Sequence, residues 1–134
     1  MMDSVTVEQG SFEGKIWANE VRIGSESEVG DVVGGDNVYM ENGAKAGFVY
    51  SPILRTGQGV KITQLATSVL TSSRGLRAGI VTIFDGGEAS FPIGSRIEEL
   101  RLGIGVKEPG WLTKIGIKKI VTGQSIPVPP EWEK

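Results

Sequence analysis

Leu76-Arg77-Ala78-Gly79-Ile80-Val81-Thr82-Ile83-Phe84-Asp85-Gly86 is the stretch on which the fold turns. Its second half is β-branched and apolar, which suits a pleated, half-buried surface. Asp85-Gly86 supplies the positive φ that a tight hairpin turn requires. Glu88-Ala89-Ser90-Phe91 is then the returning strand, ended by Pro92, which has no N–H for a ladder. This reading predicts antiparallel pairing.

The same period-two alternation recurs on both sides. Leu100, Leu102, Ile104 and Val106 alternate with Arg101, Gly103 and Gly105, and Pro109-Gly110 marks a turn. A strand from Trp111 to Val121 follows, with Thr113, Ile115 and Ile117 on one face and Lys114 and Lys118 on the other. Upstream, residues 14–23 read as a strand with Trp17, Asn19, Val21 and Ile23 on its inner face, so Trp17 is expected in the core. Residues 37–40 and 47–50 suit a hairpin around Asn42-Gly43, and residues 60–65 alternate again. The only helical signal is Ser95 as an N-cap with Glu98 three residues on, enough for a turn or two. Residues 24–36 are acidic and glycine-rich and read as a loop. No internal repeat or domain linker stands out.

About eight to ten short strands with frequent turns is the pattern of a sandwich or barrel. The expected fold is all-β, an antiparallel β-sandwich of jelly-roll type with a short helix at most. Residues 1–122 form its single domain, and residues 123–134 an extended Pro-rich tail. The 20 glycines support this, because they interleave with strand-like runs and lack a collagen period.

Composition removes much chemistry. Without Cys or His there are no disulfides, thiolate or imidazole metal sites, or Ser–His and Cys–His nucleophile pairs. No cofactor is expected. A net charge of −2 gives no reason to expect nucleic acid as a partner, and no apolar run is long enough for membrane insertion. The N-terminus lacks a signal-peptide pattern, so synthesis in a cytoplasm is expected, with later delivery in a virion compatible with it. Charge is uneven along the chain. Acidic residues predominate up to Asp36 and Glu41, and basic ones from Arg74 onward. Such bias suits oppositely charged surfaces and a head-to-tail association.

Candidate sites are few. Asp31 and Asp36, in the acidic stretch, are the weak candidates for a cation, because hard cations want several oxygens. Their spacing is not that of an EF-hand loop, and a solvated surface explains them. The acids Asp85, Glu88, Glu98 and Glu99 supply the residue type for carboxylate hydrolysis, without a pattern that pairs them. Trp111, Trp132 and Tyr39 are candidates for partner or glycan contact, since rings stack on sugars and anchor interfaces. Pro127, Pro129 and Pro130 would lay the tail across a neighbour.

From Ile80 onward, Ile80-Val81-Thr82-Ile83-Phe84-Asp85-Gly86-Gly87, Leu100-Arg101-Leu102-Gly103 and Leu112-Thr113-Lys114-Ile115-Gly116-Ile117 resemble the closing half of laminin-G or concanavalin-like jelly-roll domains. The resemblance covers about a third of the chain. It implies a binding or structural β-sandwich of the kind found in phage tail and virion proteins and in carbohydrate-binding modules. The expected function is therefore a non-catalytic structural or adhesion domain, such as a capsid decoration or fibre protein. Its expected partners are copies of itself and other structural proteins. A free carbohydrate-binding module and a carboxylate-only hydrolase are the alternatives.

Overall fold

The computed structural model describes residues 2–8, 10–91, 94–107 and 116–128. The chain forms β1 (Met2–Val7), β2 (Ser11–Ile23), β3 (Glu28–Met40), β4 (Lys45–Thr56), β5 (Lys61–Ser72), β6 (Arg77–Ser90), β7 (Arg96–Leu102) and β8 (Ile117–Val121). All eight belong to one sheet in the order of the sequence, and every neighbouring pair is parallel.

That topology fixes the shape. A straight strand as long as β4 would span roughly 40 Å, yet the connection to β5 is only residues 57–60, which reach less than about 20 Å. Parallel pairing with so short a return is possible only if each strand bends around and brings the chain back one rung higher. The fold is a β-solenoid. The bends fall at equivalent places, where the ladder registers break between Ala18 and Glu20, Val33 and Asn37, and Thr67 and Val69. Hydroxyls on the inner side serve the bend carbonyls: Ser51 Oγ donates to Ile53 O at 2.9 Å, and Thr67 Oγ1 lies 3.2 Å from both Pro52 O and Val69 O.

The register makes a repeat visible. Lys45, Val49, Leu54 and Thr56 sit beneath Lys61, Leu65, Leu70 and Ser72, an advance of 16 residues. Buried residues therefore stack in columns. Ile16, Val32, Val49, Leu65, Val81 and Leu100 form one, and Val21, Val38, Leu54 and Leu70 another. Within a coil the buried positions are spaced by two and three in turn, as in Ala44, Ala46, Val49, Ser51, Leu54 and Thr56. A straight strand alternates strictly; a coil that bends keeps its core in the middle and breaks the alternation at each corner.

The antiparallel sandwich and jelly roll are thus corrected. Gly43 (φ 74°) and Gly86 (φ 71°) do adopt the left-handed conformation, as Asn42-Gly43 and Asp85-Gly86 predicted. A positive φ reverses the local path of the chain without choosing the sense of pairing. Gly43, Gly59 and Gly75 each turn the corner of one coil into the next, and Gly86 lies inside β6, which runs on to Ser90 without a hairpin. The acidic stretch expected as a loop is a turn followed by β3. The segment Ser95–Leu100, expected as at most a turn or two of helix, leads into β7 at Arg96, where Ile97 and Leu100 join buried columns and packing overrides the capping signal. Trp17 points outward with 54% of its surface exposed, since Ile16 and Ala18 take the inner positions. A slip of one residue in a period-two reading exchanges the faces in this way.

Candidate functional site

The surface of the solenoid is a set of stacked ladders, and its functional features are read column by column. One column is cationic. Lys45, Lys61, Arg77 and Arg96 occupy the same place in four consecutive coils, each the register partner of the next, and all four side chains are exposed. They begin the strands just after a buried column of Ala44, Val60, Leu76 and Ser95. Glu28 is the register partner of Lys45 and closes the file at one end. Beside the file a groove of about 640 Å³ runs over Gly47, Thr63 and Gly79.

Glycine is structural there. A Cβ on Gly79 would stand 2.5 Å from the backbone oxygen of Thr63, closer than real Cβ contacts allow. The missing side chains are also what leaves room along the cations.

A second feature ties the far end together. Asp85 Oδ1 accepts from the backbone N–H groups of Ile104 and Ile126, both at 2.7 Å, and its Oδ2 accepts from Ser125 Oγ at 2.8 Å. Donation from the Ile126 amide is the largest influence holding the Asp85 carboxyl below its usual range, with partial burial opposing and Ser125 and Ile104 assisting. Glu99 is also held low, first by the hydrogen bond from Arg101 and then, against desolvation, by the charges of Arg101 and Lys119.

The third feature is aromatic. Tyr39, a sequence-predicted contact residue, is 42% exposed, with the Arg22 guanidinium 5.6 Å from its ring centre. Trp17 has Lys15 at 5.4 Å in the same manner. Phe48, Tyr50 and Phe84 form a small cluster in which Tyr50 is near-parallel to Phe48 and edge-on to Phe84.

The other sequence-predicted residues scatter. Pro127 is exposed just beyond the Ser125–Ile126 contact. Trp111, Trp132, Pro129 and Pro130 lie outside the described residues. Asp31 is exposed on β3 in register with Lys15 and Phe48, and Asp36 lies at the β3 corner, where it is partly covered. Among the described residues no group of three or more acidic side chains could hold a metal ion. Among the same residues no helix is long and apolar enough to cross a membrane.

Sequence reasoning did not find the cationic ladder. Its signal is present in Asn42-Gly43-Ala44-Lys45-Ala46, Gln58-Gly59-Val60-Lys61-Ile62 and Arg74-Gly75-Leu76-Arg77-Ala78, a Gly–aliphatic–cation–aliphatic motif at a fixed period. No protein-family model, curated protein or solved structure matches this chain.

Proposed function

We propose that this chain is a non-catalytic structural domain that associates head to tail into a larger assembly. The observation that carries the reading is the order of the sheet. Because strands stack in the order of the sequence, the uneven charge along the chain becomes a polarity along the solenoid axis. The acidic residues Glu20, Glu28, Asp31 and Glu41 gather in the early coils, and Arg77, Arg96, Arg101, Lys118 and Lys119 in the late ones. Surfaces of opposite sign at the two ends attract, and a head-to-tail contact that does not close makes a filament.

Two further features support it. Among the described residues β1 and β8 are each paired on one side only, and unpaired strand edges are templates for addition of another strand. Val5 and Val7 at one end, and Ile117 and Ile120 at the other, are only partly covered where they meet the core. Stacking a second copy would complete their burial.

The hydrolase alternative draws no support from Asp85 or Glu99. A glycosidase acid needs a raised pKa, whereas Asp85 and Glu99 are both displaced downward.

The test is solution mass by light scattering as a function of concentration and salt, with electron microscopy of the largest species. Linear multiples that shorten in high salt, and in Val5→Glu, are expected. A monomer at every concentration would remove the reading.

A further inference from the structure

Lys45, Lys61, Arg77 and Arg96 stand in single file at a rung spacing of about 4.8 Å, so the file spans about 14 Å. Like charges directly opposite on neighbouring strands destabilise a sheet. Outside the file, four of the described cations are met by acids, and among the described residues Lys15, Arg55, Arg74 and Lys107 have no ion-pair partner. Lys118 pairs with Glu98 at 3.1 Å, Lys119 with Glu99 at 3.5 Å, Arg101 with the same Glu99, and Arg22 with Glu41 at 3.2 Å. Among the described residues no carboxylate forms an ion pair with any of the four cations of the file. Glu28 only closes one end, and Glu98, on the groove wall, is engaged by Lys118. Four like charges without an ion-pair partner among the described residues stand beside an open groove whose lining also includes Glu28 and Glu98.

We propose that this groove binds a linear anionic polysaccharide, with one acidic sugar ring per rung. Charge and repeat length together favour this ligand. An extended polyuronate advances by about one pyranose ring per rung and turns successive carboxylates to opposite sides, so those on one face recur at about two rungs and meet alternate cations of the file. An acidic peptide in extended form presents carboxylates on one face only every second residue, roughly 6.6–7 Å apart, and falls out of step. Single-stranded nucleic acid is gripped by aromatic stacking as well as charge, and among the described residues no aromatic side chain lines the groove. The exposed Thr63 hydroxyl, at the middle of the floor, is placed to meet a ring hydroxyl. The ladder lies on the side of the coil, so the inference does not depend on end-to-end assembly.

The experiment titrates the full chain with polygalacturonate from low to physiological salt, with dextran, single-stranded DNA and polyglutamate as comparisons. Saturable binding of polygalacturonate that weakens with salt is expected, with no binding of dextran. The double variant Lys61→Gln/Arg77→Gln should lose about fivefold or more in affinity, since it removes a cation from either alternate set and each exposed ion pair is worth a factor of roughly five. Arg55→Gln/Lys107→Gln changes the net charge equally at places away from the file and should bind as the parent does. Circular dichroism of both variants verifies that the coils persist. The proposal is overturned by no binding at low salt, by equal affinity for DNA or polyglutamate, or by equal losses in the two double variants.

Discussion

Asp85 and Ile126 grip each other twice. The Ile126 N–H donates to Asp85 Oδ1 at 2.7 Å, and the Asp85 N–H donates to the Ile126 carbonyl at 2.8 Å. With Ile104 N–H on the same carboxylate oxygen, one side chain joins β6, the turn after β7 and the tail. Gly103 is part of the arrangement, since a Cβ there would fall 2.6 Å from the Asp85 nitrogen.

This relationship sets an acid dependence. The folded-state pKa of Asp85 lies below the ordinary value of 3.8, so its contribution is present above that value and is lost as the pH falls through the lower one. Asp85→Asn should melt at a lower temperature than the parent at neutral pH, and the difference should shrink below about pH 4. Amide exchange at Ile104 and Ile126 should quicken at the same time. Identical melting curves and exchange rates for the two proteins would dismiss the clamp.

Leu65 stands in the middle of the longest buried column, between Val49 and Val81. Leu65→Ala should cost about 2–5 kcal/mol, the range for a buried leucine whose surroundings cannot collapse. Urea denaturation measures it. A loss under about 1 kcal/mol would mean that the coils close around the gap.

Gly59 and Gly79 separate two kinds of glycine requirement. Gly59 has φ +68° and open space around its Cβ, so Gly59→Ala should cost about 1–2 kcal/mol from conformation alone. Gly59→Asn should cost less, because Asn visits this region more readily. Gly79 has an ordinary φ and a backbone oxygen in the way, so Gly79→Ala should disrupt the β5–β6 ladder and cost more than Gly59→Ala. Equal costs would contradict the close approach.

Thr56 carries a buried hydroxyl with no hydrogen-bond partner. Its column neighbours are Met40 and Ser72. Thr56→Val keeps the shape and removes the unmet group, and should raise stability by about 1 kcal/mol. Destabilisation on chemical denaturation would indicate that the hydroxyl has a partner in solution.

The sequence by itself determined that this chain makes strands and turns them at glycines. The β-branched run Ile80-Val81-Thr82-Ile83 and the turn dipeptides Asn42-Gly43 and Asp85-Gly86 carry that information locally, through side-chain shape and the freedom of a residue without a Cβ. The tertiary structure decided everything that depends on which strand lies beside which. Parallel stacking follows from a short return to a strand that bends, and no single stretch records it, because the repeat conserves inward size and outward charge more than residue identity. The same is true of Lys45, Lys61, Arg77 and Arg96, which are far apart in the chain and become one ladder only when each coil closes a rung above the last. Trp17 shows the other limit. Alternation identifies two faces, but only the corner that breaks the period decides which face looks inward.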